Sequence, residues 1–228
     1  MFEFFKRKST NKQREKKSEA EHVDTRSLEQ PVWIEVGEGN PFDAPILDIR
    51  CITLKIIATT ADKSIAENYV ASRADDGRRY IDQVIEGGKE IPCDIHYRHG
   101  GEQLEGIVSK AESMDVKWDI YAFGEWFYFV RSWTSVLMYK VHYQNTGSEL
   151  ILDRIVAADT DDPNLLRQNI HSLIMTHALN SPWPYTIPAS LKSASASDIA
   201  LMLFSQFGCK ATLATFANSM DIQLLTWQ

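Results

Sequence analysis

Arg131-Ser132-Trp133-Thr134 plants a polar cluster inside an otherwise apolar run. A guanidinium beside an indole can stack on the ring while its planar fork meets a carboxylate or phosphate. With Trp126 to Arg131 read as a strand, alternation sets Phe127, Phe129, Arg131 and Trp133 on one face. Trp126, Tyr128 and Val130 then lie on the other. Tyr139 offers a second stacking ring, and Asp119, on the neighbouring strand, supplies a carboxylate. Arg131, Trp133, Thr134, Tyr139 and Asp119 therefore form a candidate surface for a small anionic ligand. Read as an enzyme, Asp119 is the general base. Read as architecture, Asp119 is the ion-pair partner of Arg131 and holds the strands in register. Both readings are open on the sequence.

Other reactive side chains give weaker patterns. His96 and His99 flank a bend without a C-x-x-C or H-E-x-x-H context, and His171 and His177 point different ways from one helix. No metal or cofactor is implied. Asp75, Asp76, Asp82 and Asp94 suit solvated turns, whereas Asp159, Asp161 and Asp162 suit the start of a helix. The spacings G-x-S-x-G, G-x-x-x-x-G-K-[ST] and G-x-G-x-x-G do not occur, so nucleophile-elbow, P-loop and dinucleotide-fold readings have no support. Trp126, Tyr128, Tyr139 and Tyr143 could stack a base or sugar, but aromatics at strand spacing ordinarily build a core.

The elements that must carry the cluster follow from patterning. Lys117 to Tyr143 holds three of the six tryptophans and the best strand formers. It divides into strands at Trp118–Ala122, Trp126–Arg131 and Val136–Tyr143, with Leu150–Ala157 as a fourth. Connections this short force antiparallel neighbours, because a parallel crossover needs a dozen or more residues. Upstream, Pro31–Val36 and Ile46–Thr60 read as strands, the second with a helical option in its middle. Asp62 caps a helix over 63–72, Asp75-Asp76-Gly77 is a turn, and 80–85 is strand or helix. Ile91–Tyr97 and Leu104–Val108 read as a hairpin around Arg98-His99-Gly100-Gly101. Beyond residue 160 the period becomes helical: Asp161 or Asp162 caps, Pro163 takes the first position, and Leu166, Ile170, Leu173, Ile174 and Ala178 form a stripe. A second helix begins near Asp198 and closes at Gly208. Residues 209–228 are expected as helix, then a short strand. The expected class is α+β: a disordered basic tail over 1–30, a mainly antiparallel β domain over 31–160, and a helical segment over 161–228 packed on or appended to it.

A net charge of −7 over 228 residues conceals an asymmetry. Residues 1–18 hold seven basic and two acidic side chains. The other 210 residues hold the remaining 17 basic and 29 acidic ones. The acidic body disfavours a nucleic-acid partner. No run approaches the roughly 18 apolar residues of a membrane span. Three scattered cysteines, Cys51, Cys93 and Cys209, suit reduced thiols and a cytoplasmic setting.

Lys117-Trp118-Asp119-Ile120-Tyr121, Phe127-Tyr128-Phe129-Val130-Arg131-Ser132-Trp133-Thr134 and Leu137-Met138-Tyr139 together resemble an uncharacterised bacterial protein family. Its pattern is W-x-I-Y, a gap, Y-F-x-R-S-W-T-G, then an aliphatic–Tyr strand. Asn40-Pro41-Phe42 and Pro45-Ile46-Leu47-Asp48 are similar to the opening of its longer members. Ser135 stands where that pattern has glycine. The resemblance implies that residues 131–134 form one recurring unit and brings no activity with it. The functional expectation is a non-catalytic binding or interaction module, partnered by another protein or a small anion. The alternative is a hydrolase or transferase acting on an anionic small molecule such as a nucleotide.

Overall fold

The structure, a computed structural model, describes residues 3–4, 29–158 and 160–225. Most of the basic tail lies outside these residues, as does Asp159. The elements in order are β1 (Glu3–Phe4), β2 (Val32–Ile34), β3 (Ile46–Asp48), α1 (Arg50–Thr53), α2 (Lys63–Ser72), β4 (Lys89–His99), β5 (Gly106–Ser109), β6 (Trp118–Phe123), β7 (Trp126–Arg131), β8 (Leu137–Asn145), β9 (Glu149–Ala157), α3 (Pro163–Leu173), β10 (Tyr185–Thr186), α4 (Ala196–Phe207) and β11 (Leu213–Thr215). Among the described residues the fold is α+β, with helices following an antiparallel sheet.

The large sheet runs β1-β4-β9-β8-β7-β6-β5. Strands β6 to β9 form the expected meander, each antiparallel to the next, and β5 extends it by pairing antiparallel with β6. All six residues of β6 are buried, because the run 117–143 is apolar on both faces. One face carries Trp118, Ile120, Phe127, Phe129, Val141 and Leu152 into the main core with α3 and α4. The other carries Tyr121, Phe123, Tyr128 and Val130 under Tyr80 and Ile85.

The hairpin expected around 98–101 does not form. β4 pairs with β9 and β5 pairs with β6, at opposite sides of the meander. The Gly-Gly bend is real, but its hydrogen bonds go to the β8–β9 turn: Asn145 donates to the Gly101 and Glu102 carbonyls, and the His99 amide donates to Ser148. Residues 100–105 must cross the sheet from one side to the other. Seven residue steps reach roughly 25 Å at full extension, about the width of five strand spacings. A bent connection can make that crossing only if the sheet coils.

A second sheet, β10-β11-β3-β2, brings residues 32–48 beside residues 185–215. It corrects two expectations. Ile46–Thr60 is a strand for only three residues before α1 begins, where Asp48 accepts from the Arg50 amide and binds its guanidinium. Residues 209–225 hold β11 and no helix. Residues 80–85 form neither strand nor α-helix, only a 3-10 turn over Arg78–Tyr80. Helix starts follow the sequence closely. Asp62 caps α2, Asp162 caps α3 with Pro163 at its first position, and Ser195 caps α4.

α3 passes into a π-turn at Ile174–Ala178, a form that appears mostly as single turns within helices. His171 and His177 flank this transition, both buried. The Tyr97 hydroxyl lies 2.8 Å from His171 Nδ1, and Thr176 Oγ1 lies 2.9 Å from His177 Nδ1. Burial pushes His171 down to about 4 and His177 to about 3, so both are neutral in the fold at pH 7. Above pH 6.5, the ordinary histidine value, neither the folded nor the unfolded chain protonates them. Below it the unfolded chain takes up protons and the fold does not. Stability should therefore fall as pH drops from 6.5 toward 4, by roughly 1.4 kcal/mol per pH unit for each histidine. Urea unfolding at stepped pH checks this, and His177→Gln should remove one proton's share of the slope.

Candidate functional site

The β6–β7 ladder pairs Trp118 with Arg131 and Asp119 with Val130. Arg131 and Asp119 therefore face opposite sides of the sheet and form no ion pair. Asp119, 1% exposed, accepts from the Ala111 amide at 2.7 Å and binds Arg73, the C-cap residue of α2, at 2.8 and 3.2 Å. Lys110 stands 3.9 Å away. This carboxylate fastens α2 to the sheet and is remote from Arg131, which corrects both roles expected for it.

Arg131 sits over the Trp118 ring, 4.9 Å from its centroid. Its two terminal nitrogens donate to the Ser205 and Gln206 carbonyls in the last turn of α4. Trp118 Nε1 donates to the same Gln206 carbonyl at 2.9 Å. A cation at a helix C-terminus meets unsatisfied carbonyls and the negative end of the helix dipole, so Arg131 caps α4. Just beyond, Gly208 has φ +75°, and a Cβ there would run into the Asp115 carbonyl oxygen.

The expected stacking of Arg131 on Trp133 does not occur, because alternation stops at residue 131. The Ser135 amide donates to the Arg131 carbonyl, and the Arg131 amide donates to Val136, which closes a turn. Ser135 adopts φ +56°, a left-handed conformation that glycine takes at no steric cost. Asn68 of α2 holds this turn by donating to the Trp133 carbonyl and to Ser135 Oγ, at 2.6 and 3.1 Å. Ser132 Oγ donates to the Val116 carbonyl at 2.7 Å, and Trp133 Nε1 to Met114 at 2.7 Å. Trp133 is thereby fixed beside β6 and carries a different cation. Lys117 Nζ lies 3.8 Å from its ring centroid and 5.2 Å from that of Phe204.

Ala58, Lys117, Arg131, Trp133, Thr134, Phe204 and Ser205 line a cleft of about 350 Å³. Lys117 is 7% exposed and donates to the Met114 carbonyl at 3.0 Å. Burial, with Arg131 adding repulsion, pushes its ammonium down to about 8; Asp115 acts in the opposite direction. The Asp115 carboxylate is engaged by the Ala58 amide and Ser113. Among the described residues neither Lys117 nor Arg131 forms an ion pair. Lysine is rarely buried unless paired.

Of the five residues expected together, Arg131, Trp133 and Thr134 share this cleft. Tyr139 stacks on Trp118 at 5.5 Å and lines a separate cavity of about 200 Å³, with Asn169, Gln206 and Phe207. Asp119 lies on the far face. Sequence reasoning missed Lys117, whose signal was a lysine set between Val116 and Trp118 at the start of the aromatic run. It also missed Phe204, which reads only as helical core. No group of three or more His, Cys, Asp or Glu side chains suited to a metal ion occurs among the described residues. No family model, curated protein or solved structure matches this chain.

The two arginines should differ sharply when removed. Arg73→Met strands a buried carboxylate and should cost about 3–5 kcal/mol. Arg131→Met removes two bonds to neutral carbonyls and should cost about 1.5–3 kcal/mol. Denaturant unfolding of the two variants checks the order; equal losses would place Asp119 under the control of both.

Proposed function

We propose that this protein is a non-catalytic binding module acting in the cytoplasm, and that its ligand is a small anion with an apolar or planar part. The observation that carries this reading is the juxtaposition of Lys117 and Arg131 in one cleft without a carboxylate partner. Two like charges repel, and taking them out of water is costly, so stability alone would favour replacing at least one. An anion is the group that relieves both terms. Arg131 keeps three of its five N–H donors after capping α4. Thr134 lines the same cleft, as do Trp133 and Phe204, whose rings supply apolar wall. The cleft volume lies in the range of small-molecule pockets.

The enzyme reading loses its proposed base, since Asp119 is on the other face and held by Arg73. The three cysteines are all free, in keeping with a reducing compartment. No helix among the described residues is long and apolar enough to cross a membrane.

A thermal-shift panel of anionic metabolites on the full chain tests the proposal, since ligand binding raises apparent stability by mass action. At least one anion should raise Tm while its uncharged analogue does not. Lys117→Met should abolish that shift yet stabilise the unliganded protein by about 1 kcal/mol, or roughly 2–4 °C. A Lys117→Met variant that is less stable and still responds to the anion would overturn the assignment.

A further inference from the structure

Lys117 differs from an ordinary anion-binding lysine in what surrounds its amine. Its Nζ is set against two aromatic rings, Trp133 and Phe204, and donates to one carbonyl, that of Met114. The charged and titratable groups near it are Arg131, Asp115 and Cys209. Asp115 is turned to the Ala58 amide and Ser113. The Cys209 thiol is itself raised by burial, so it is uncharged at neutral pH. The ring faces, the Met114 carbonyl and Asp115 favour the ammonium form, but burial and the Arg131 charge outweigh them and shift the balance toward the neutral amine. A desolvated lysine beside another cation is the arrangement that makes an amine nucleophilic. Arg131 lines the same cleft with donors to spare.

We infer that Lys117 captures its ligand covalently and reversibly as an imine, and that the ligand is an anionic aldehyde or ketone whose carboxylate or phosphate is held by Arg131. This deepens the anion-binding reading and rests on it. In the step, the Nζ lone pair attacks the carbonyl carbon and forms the C–N bond. The resulting carbinolamine then loses its oxygen as water, which carries away the two amine protons. No electrons are exchanged, so no redox partner is required. The apolar walls disfavour the water that would reverse the reaction.

Labelling of the full-length chain with glyoxylate, an anionic aldehyde, tests the inference. Cyanoborohydride reduction followed by peptide mass spectrometry locates the adducts, and a neutral aldehyde of similar size serves as the comparison. At pH 7, Lys117 should label at least ~10-fold faster than the surface lysines with glyoxylate, because more of it is free amine. That preference should shrink with the neutral aldehyde, which Arg131 cannot hold. Labelling of Lys117 should rise to its half-maximum near pH 8, well below the surface residues. Arg131→Gln should lose the preference for glyoxylate while circular dichroism reports an intact fold. The wild-type comparison of the two aldehydes stands even if that variant is unstable. Lys117 labelling no faster than surface lysines, or equally with both aldehydes, overturns the imine. If anions still raise Tm in that case, non-covalent binding survives, and the two readings are separated.

Discussion

The register between β6 and β7 is the constraint on which the rest of the molecule depends. Side chains alternate along a strand, so pairing Trp118 with Arg131 also sends Asp119 and Val130 to the opposite face. A one-residue slip of β7 would turn Arg131 toward the α2 side, and a slip of β6 would instead turn Asp119 toward α4. Each face is built for one charge only. The α4 side offers backbone carbonyls to Arg131, and the α2 side offers Arg73, Lys110 and the Ala111 amide to Asp119. The helices on both sides therefore report the same register.

α2 is held by polar tethers more than by apolar contact. Val70 is 70% exposed, and its interior-facing positions are Asn68, Tyr69, Ser72 and Arg73. Asn68 grips the turn that carries Trp133, and Arg73, at the C-cap of α2, grips Asp119 of β6, so one helix is tied to both. Bonds of this kind are directional and leave little freedom in where Trp133 stands. Lys117 beside it is held by the Met114 carbonyl and, among the described residues, forms no ion pair. Proteins tolerate such local cost where a site needs it.

Local signals were legible where the physics is local. The meander followed from aromatic strands and connections too short to run parallel. The capping side chains of Asp62 and Asp162 marked their helices because an orphan amide needs an acceptor at one defined offset. The 98–101 bend was legible as a bend, but partner choice was not, since β9, the partner of β4, lies far along the chain. Ile46–Thr60 looked strand-like by composition, yet Asp48 binds the Arg50 amide and starts a helical turn that composition cannot show. At the site, the grouping of Arg131, Trp133 and Thr134 was visible. Their partners were not, because alternation was carried past Arg131 into a turn. Lys117 escaped notice because a lysine in a strand ordinarily reaches water, and only the walls formed by Trp133 and by α4 close it in.

In the smaller sheet β11 lies inside, flanked by β10 and β3, while β2 occupies the edge. A strand made among the first fifty residues thus waits for one at 213–215 before its open side is filled. During synthesis the meander can assemble while β3 still exposes a bare ladder of amides and carbonyls. Closure of that layer is postponed until almost the whole described chain has emerged from the ribosome, and a chain stopped ahead of Leu213 would keep an unpaired edge able to recruit another polypeptide.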